Sequence, residues 1–220
     1  IQENVPSMSG TEVTVEGQVY IPTNYRAVPG DTSPTISGYI QDSSGRGINL
    51  FGSTADNVNL RTIGNRVRIT GEVGVFNVTT IEILNITSIT LLSSGSRDVP
   101  AVRVGTGEAA NTRWEGTFIE TRGPITAVTT QTLAVNYTIN DDSGPLIVRV
   151  VNTLGAPAFS VGQTILARGA GSKFNLDWQI LVGTATDIVL DPGGADTAPP
   201  VLAGAWANSG TSVRATFITR

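Results

Sequence analysis

Two short acidic stretches are the residues of this chain whose types and spacing come nearest to a chemical site. Asp42-Ser43-Ser44-Gly45 and Asp141-Asp142-Ser143-Gly144 each stand between two apolar segments. Carboxylate and hydroxyl oxygens suit calcium, but calcium takes about six to eight oxygen ligands and each stretch offers only a few. An Asp that bonds to its own backbone, followed by a Gly with positive φ, also makes a hairpin turn. We therefore predict two capped turns and no metal site.

Histidine and cysteine are both absent from the 220 residues. Their absence excludes an imidazole base, a thiolate nucleophile, the usual zinc ligands and a Ser-His-Asp arrangement. The 18 acidic residues contain no spacing that suggests a paired acid and base. We predict that the chain has no catalytic residue, binds no cofactor and is not an enzyme.

Aromatic and arginine residues near the two acidic stretches are the candidate ligand contacts. Bases stack on aromatic rings and guanidinium groups meet phosphates, so such a set suits single-stranded nucleic acid. The alternatives are core or surface filling for the aromatic residues and cross-strand ion pairs for the arginines. The predicted ligand-binding residues are Tyr39, Arg46, Phe51, Arg66, Arg68, Tyr137 and Arg149, with Tyr25 and Arg26 in the loop before the first stretch.

The charge of the chain favours a different role. The 18 acidic residues outnumber the 14 basic ones, giving a net charge of −4, and no segment has a basic surplus. Neutralising phosphates usually requires such a surplus. Two hypotheses therefore stand side by side: binding of single-stranded nucleic acid, or a structural spacer or adhesion module that binds protein or glycan.

The elements that must position these residues are repeated along the chain. Ile40 and Asp42 match Ile139 and Asp141 at an offset of 99, and the same offset pairs Glu16-Gly17 with Glu115-Gly116. Further on, Gly64, Gly71 and Phe76-Asn77 match Gly162, Gly169 and Phe174-Asn175 at an offset of 98, which indicates one deletion after the hairpin. We predict two copies of one domain, each with its own core.

Within each copy, apolar residues alternate in short runs that are separated by Gly, Pro, Asn and Asp, as in strands. The predicted strands are 12–21, 36–41, 46–52, 65–73 and 78–92 in copy 1, and 112–120, 132–140, 145–152, 164–171 and 177–190 in copy 2. The pattern predicts an all-β fold of two tandem five-stranded OB-type Greek-key barrels. OB folds bind ligands on strands 2 and 3 and with the loops after strands 1 and 4, where most of the candidate residues would lie.

Three stretches carry a resemblance to a known family. "VTVEG", "GYIQDSSGRGINLF" and "GNRVRITGEV" resemble the OB-fold modules attached to secreted bacterial nucleases and phosphoesterases, closely over residues 10–92 and more weakly over 111–190. The resemblance implies an accessory binding role in a secreted or cell-surface bacterial protein. It also implies a catalytic or anchoring domain outside this chain.

The predicted domains are 1–97 for barrel 1, 98–190 for barrel 2, and 191–220 for a linker and the start of a third domain. In that last part "DTAPPV" and "SGTSVRATF" resemble the start of a bacterial Ig-like surface domain. Since Ile1 opens the chain, we expect a mature or trimmed product. The apolar runs are too short for a transmembrane helix, so we predict no membrane insertion.

Overall fold

The computed structural model describes residues 1, 7–27, 36–76 and 80–191, together with the backbone of residues 201–209 and 212–218. The strands of the first barrel are β1 (Glu12–Ile21), β2 (Ser37–Gln41), β3 (Gly47–Phe51), β4 (Arg66–Phe76) and β5 (Thr80–Ser93). The barrel closes in the order β1-β2-β3-β5-β4, with β1 also paired to β4. All pairings are antiparallel except that of β3 with β5.

Strand β4 shows why these residues fold as strands. Val67 and Ile69 are fully buried in the barrel core, whereas Arg66 and Arg68 between them are exposed. Successive side chains of a strand point to opposite faces, so this alternation places one set inside and the other in solvent. Two short 3-10 turns, Ser53–Ala55 and Val58–Leu60, connect β3 to β4 and bury Ala55 and Leu60.

The second barrel repeats this strand order. Its elements are β6 (Val102–Arg103), α1 (Thr106–Ala109), β7 (Phe118–Thr130), β8 (Ala134–Asn140), β9 (Pro145–Val151), β10 (Thr164–Phe174), β11 (Asp177–Leu181) and β12 (Ile188–Leu190). The strands pair in the order β12-β10-β11-β9-β8-β7-β6, and the additional pairing of β10 with β7 closes β7, β8, β9, β11 and β10 into a barrel. Strands β9 and β11 are parallel, as β3 and β5 are.

The predicted fold class is confirmed: the chain forms two OB-type barrels in tandem. Beyond them, β13 (Val201–Ser209) and β14 (Ser212–Ile218) pair as an antiparallel two-stranded sheet. The predicted domain boundaries at 97 and 190 remain predictions.

The predicted first strand of copy 2 is wrong. Residues 112–114 form a 3-10 turn, and the strand is Phe118–Thr130. Its Gly123 pairs with Ile165 just as Gly17 pairs with Val67, so Gly123 is the true counterpart of Gly17. The pairing of Glu16-Gly17 with Glu115-Gly116 is therefore wrong as well.

The one-residue deletion lies inside the second hairpin rather than after it. Residues 42–46 separate β2 from β3, whereas only residues 141–144 separate β8 from β9. Ile40 pairs with Ile48 in barrel 1, and Ile139 pairs with Leu146 in barrel 2. The offset is thus 98 from the third strand onward.

The two barrels pack directly on one another through a shared apolar cluster. The Tyr20 ring lies 4.9 Å from the Phe118 ring, and the Tyr20 hydroxyl donates to the carbonyl oxygen of Gly116 at 2.5 Å. The buried members of the cluster are Tyr20, Ile21, Tyr25, Tyr39, Phe118, Ala134, Val151 and Ala170. This contact sets how the two barrels are placed relative to each other.

Candidate ligand-binding cleft

A cleft of about 660 Å³ lies between the two barrels. From each barrel it is lined by the outer face of the second and third strands, by the loop that follows the first strand, and by residues of the fourth and fifth strands near their adjoining ends. These are the surfaces with which OB folds bind oligonucleotides and oligosaccharides. The packing of the barrels therefore joins two such surfaces into one cleft.

Barrel 1 provides one wall of the cleft. Tyr39 and Asn49 are neighbours across the β2–β3 pairing, and Asn49 pairs in turn with Glu82 on β5. The wall is completed by the loop after β1 and by the end of β4. Its lining residues are Tyr25, Arg26, Ser37, Tyr39, Asn49, Phe51, Phe76, Thr80 and Glu82.

Barrel 2 provides the opposite wall from equivalent elements. Asn136 on β8 pairs with Arg149 on β9, and Ile147 on β9 pairs with Gln179 on β11. The lining residues are Gln131, Asn136, Ile147, Arg149, Ser172, Lys173, Phe174, Asn175, Asp177, Gln179 and Leu181.

The strand pairings identify which residues of the two walls correspond. Ser37 pairs with Phe51 in barrel 1, and Asn136, which lies 99 residues after Ser37, pairs with Arg149 in barrel 2. Phe51 and Arg149 therefore occupy the same position. An aromatic ring on one wall has a cation as its counterpart on the other.

Among the residues that the structure describes, three cations line the cleft: Arg26, Arg149 and Lys173. The guanidinium of Arg149 donates to Gln131 Oε1 at 2.6 Å and to Asn136 Oδ1 at 3.2 Å, which holds it in place. Burial and then the neighbouring Arg26 lower the pKa of Arg149, although Tyr25 opposes this shift. The Lys173 ammonium lies 5.0 Å from the centre of the Trp178 ring, within the range of a cation–π interaction.

Three phenylalanines give the cleft accessible aromatic surface. Phe76 ends β4 and is 48% exposed, and Phe174 ends β10 at the equivalent position and is 56% exposed. Phe51 ends β3 and is half-buried. Exposed aromatic rings beside cations suit ligands that carry both flat rings and negative charge.

Two carboxyl groups lie at the contact of the barrels near the cleft. Burial raises the pKa of Glu82, which lines the cleft and is 6% exposed, to about 7. Burial also raises the pKa of Glu115 to about 8; a hydrogen bond from Thr80 and the charge of Lys173 oppose the shift, and Glu82 adds to it. Glu115 is 2% exposed and enclosed between the barrels. Near neutral pH both groups therefore keep much of their neutral form.

The structure places the predicted site residues in different surroundings. Phe51 and Arg149 line the cleft. Tyr39 also lines it, but its ring is only 3% exposed because it packs into the cluster between the barrels. Little of Tyr39 is therefore accessible to a ligand, and its role in binding stays a prediction.

The prediction that Tyr137 faces a ligand is wrong. Its ring is buried in the core of barrel 2, where it meets Phe159 edge-on at 5.6 Å between ring centres. Gly38 occupies the corresponding position in barrel 1, 99 residues earlier. Tyr137 thus fills core space in barrel 2 that the corresponding residue of barrel 1, a glycine, does not fill.

Arg46, Arg66 and Arg68 lie away from the cleft. Arg46 donates to the carbonyl oxygen of Arg113 at 2.5 Å and so joins the first hairpin to barrel 2. Arg68 forms an exposed ion pair with Glu16 at 2.6 Å, as the cross-strand alternative predicts. Arg66 is exposed on the same face of β4. The structure does not bring these arginines together with Tyr39 and Phe51, and their role in binding stays a prediction.

The two acidic stretches form the predicted capped turns. Asp42 accepts from the backbone N–H of Ser44 at 2.9 Å, and Asp141 accepts from that of Ser143 at 3.0 Å. Asp141 also accepts from Thr106 on α1. Partial burial of Asp141 opposes ionisation, but the hydrogen bonds from Ser143 and Thr106 lower its pKa to about 2.

Sequence reasoning missed Glu82, Lys173, Phe76 and Phe174 as cleft residues. A signal existed for Glu82, because it stands between the core residues Ile81 and Ile83 and must face outward. The two phenylalanines were visible as a matched pair in the repeat. What the sequence did not reveal is that the two barrels place these residues in one cleft.

The residues that the structure describes contain no group of three or more His, Cys, Asp or Glu arranged to hold a metal ion. Within the same residues, no helix has the length and apolar character needed to cross a bilayer.

The fold and cleft define a tandem OB-type β protein, and solved structures include proteins that resemble it over most of its length. The p204 HINb domain shares 14% identity, with 79% of this chain and 92% of that chain covered and a TM-score of 0.39. A murine DNA-binding protein bound to double-stranded DNA shares 13% identity over 82% and 97% of the two chains, with a TM-score of 0.41. Fission yeast Pot1, solved with single-stranded DNA, shares 11% identity over 83% of each chain, with a TM-score of 0.32. No protein-family model and no curated protein matches the chain.

Proposed function

We propose that the chain binds single-stranded nucleic acid in the cleft between its two barrels and does not act on it chemically. The observation that carries the proposal is the convergence of two OB ligand faces, with exposed phenylalanines and three cations in the same cleft. Stacking on aromatic rings and contact of cations with phosphates are the two interactions that sequence-tolerant single-strand binding needs.

The cleft overcomes the objection raised by the net charge of −4. Arg26, Arg149 and Lys173 face Asp177 and Glu82 there, and burial holds much of Glu82 in its neutral form near pH 7. The local charge of the cleft is therefore positive although that of the whole chain is negative. Local charge acts on a bound strand more strongly than distant charges, which salt screens.

A titration followed by fluorescence anisotropy tests the proposal. The probe is a labelled oligothymidine of about eight nucleotides, at about 50 and about 200 mM salt. We expect binding at low salt that weakens at high salt. Arg149→Ala and Phe174→Ala should each weaken binding roughly tenfold, because each removes a charged contact or a stacking platform.

Matched controls separate the cleft from the rest of the surface. Arg61→Ala removes the same charge from an exposed ion pair with Asp56, and Val161→Ala shortens an exposed apolar side chain. Both should bind like the unaltered chain. Absence of binding at low salt would overturn the proposed function. If the double variant Arg66→Ala, Arg68→Ala lost binding while Arg149→Ala kept it, the binding site would lie on β4 and not in the cleft.

We also propose the kind of parent protein in which this binding module occurs. The resemblance in the hairpin and fourth-strand motifs supports a module of a secreted or cell-surface bacterial protein beside a nuclease, phosphoesterase or anchoring domain. The likeness of the tail to an Ig-like surface domain supports the same setting. The full gene product tests this directly, since a flanking catalytic domain is visible in its sequence.

A structural spacer is the second candidate, and one observation favours it. The segment joining the barrels is fixed by Arg97, whose guanidinium forms a two-pronged ion pair with Asp187 of barrel 2. Rigid coupling of two barrels is what a spacer requires. A chain that binds no oligonucleotide but unfolds as one cooperative unit would support the spacer and overturn nucleic-acid binding.

A further inference from the structure

The cleft contains one acidic side chain that the proposed function leaves unexplained. Glu82 lies on β5, is 6% exposed and lines the cleft. Burial raises the pKa of its carboxyl group to about 7. A carboxyl group that lines a cleft but has lost most of its hydration is costly to ionise, so a ligand that supplies hydrogen-bond donors there would offset that cost.

The neighbour of Glu82 also presents an acceptor. Asn49 pairs with Glu82 across β3 and β5. The Asn49 amide nitrogen donates to Ser37 Oγ at 3.0 Å and to the Gly38 carbonyl oxygen at 3.0 Å. Both amide hydrogens are thus used, and the amide oxygen is left to accept. Glu82 and Asn49 together form an acceptor-lined recess, which we call the acceptor recess.

Barrel 2 lacks this feature at the equivalent position. Asn49 pairs with Glu82, and Ile147, which corresponds to Asn49, pairs with Gln179. Gln179 is also buried and also lines the cleft. At this position a carboxyl group on one wall therefore stands where the other wall has an uncharged amide of the same shape.

An acceptor recess selects among the parts of a nucleic acid. Ionised Glu82 would repel a phosphate, whereas the edge of a base carries N–H donors that would stabilise the ionised form. Guanine has two adjacent donors, N1–H and the 2-amino group, that match the two oxygens of a carboxylate. Adenine and cytosine place a single amino donor beside an acceptor nitrogen, and thymine places its N–H between two carbonyl oxygens. Proteins read unstacked bases on these Watson–Crick edges.

We propose that Glu82, assisted by Asn49, is a specificity-determining residue that binds the Watson–Crick edge of a guanine within the cleft. Phe51 lies two residues beyond Asn49 on the same face of β3 and offers the adjacent ring surface. This inference rests on the proposed function, since it needs a strand to lie in the cleft. Two hydrogen bonds to the carboxylate would also favour its ionised form.

The test compares oligothymidines of about eight nucleotides that differ only at one central position. The full 220-residue chain is titrated with strands that carry thymine, guanine or hypoxanthine there; hypoxanthine lacks the 2-amino group. We expect the guanine strand to bind about tenfold more tightly than the thymine strand, with the hypoxanthine strand between them. This comparison needs no protein variant.

Glu82→Gln is the matched variant, since barrel 2 already has Gln179 at that position. It should abolish the preference for guanine over thymine, because the pair of hydrogen-bond acceptors is lost while little volume changes. A strand that binds without guanine preference, or a preference that persists in Glu82→Gln, overturns the assignment and leaves the proposed function intact. Failure of every strand to bind overturns both. A third outcome is that the chain binds an oligosaccharide and no oligonucleotide, and that Glu82→Gln abolishes this binding. That outcome would overturn both the proposed function and the guanine assignment, and would identify the hydroxyl groups of a sugar as the hydrogen-bond donors to Glu82.

Discussion

The guanidinium of Arg97 donates two hydrogen bonds to the carboxylate of Asp187, at 2.8 and 2.5 Å, and so ties the inter-barrel segment to barrel 2. Asp187 is almost fully buried, and it also accepts from Thr184 at 2.8 Å. The Arg97 guanidinium lies 4.6 Å from the centre of the Phe118 ring in the cluster between the barrels. The ion pair thus belongs to the contact that forms the cleft.

Arg97→Ala should destabilise the chain strongly. It leaves the Asp187 carboxylate buried without its cation, which typically costs about 3 kcal/mol or more. For a chain of this length that loss corresponds to a fall in Tm of roughly 6–12 °C, measurable by calorimetry. Arg61→Ala breaks an exposed pair with Asp56 and should cost less than about 1 kcal/mol. Equal Tm values for the two variants would contradict the role given to Arg97.

The stability of the chain should fall as the pH rises from about 5 to about 8.5. Glu82 and Glu115 have pKa values of about 7 and about 8 in the folded chain, above the ordinary value of 4.5. Below about pH 4.5 both carboxyl groups are protonated in the folded and in the unfolded chain. Above that pH the unfolded chain loses these protons first, so the free energy of unfolding falls until the carboxyl groups of the folded chain ionise as well. One pKa unit corresponds to about 1.4 kcal/mol.

Urea unfolding at a series of pH values measures this effect. Glu115→Gln should flatten the decline over that range, because a neutral amide replaces the group that loses its proton. Glu12→Gln is the control, since Glu12 is exposed. A decline of the same steepness in Glu115→Gln and in the unaltered chain would show that other groups cause it.

Gly47→Ala should disturb the contact between the barrels. A Cβ at Gly47 would collide with the carbonyl oxygen of Gly116 in barrel 2 and lie 2.9 Å from that of Ile40. Overpacking of this kind usually costs about 1–3 kcal/mol. At Gly95 an added Cβ meets nothing within 4 Å, so Gly95→Ala is the matched control. Thermal unfolding compares the two, and an unchanged Tm in Gly47→Ala would mean that the barrels are not held in this contact.

The salt dependence of strand binding should report how many cations of the cleft take part. Each phosphate neutralised on a single strand contributes about −0.7 to the slope of log K against log salt. Arg26, Arg149 and Lys173 together predict a slope of about −2, and Arg149→Ala a slope of about −1.4. Arg61→Ala should leave the slope unchanged. A slope near zero in the unaltered chain would exclude phosphate contacts in the cleft.

The sequence predicted the barrels well because hydrophobic alternation and turn chemistry are local. Asp42 and Asp141 cap their turns as expected. The wrong assignments arose because the two copies were aligned by residue identity, which does not show the direction in which each side chain points. Glu115-Gly116 resembles Glu16-Gly17 in sequence, yet the strand pairing assigns Gly123 as the counterpart of Gly17. Tyr137 and Tyr39 both stand in second strands, but at positions of opposite direction.

The candidate site was harder to predict than the fold. Whether Phe51, Lys173 and Glu82 share a cleft depends on how one barrel rests on the other. That arrangement is set by contacts such as Tyr20 with Gly116 and Arg97 with Asp187, which join residues about 90 or more positions apart. Neither periodicity nor turn composition carries such information.

The correspondence of Glu82 with Gln179 has a consequence for the gene. The codons for glutamate and glutamine differ only in their first base, so a single point mutation converts either residue into the other. One substitution could give the cleft a carboxyl group on both walls, and another could remove the one it has. If the two barrels descend from one duplicated ancestor, base preference is a property that this lineage can gain or lose in one mutational step.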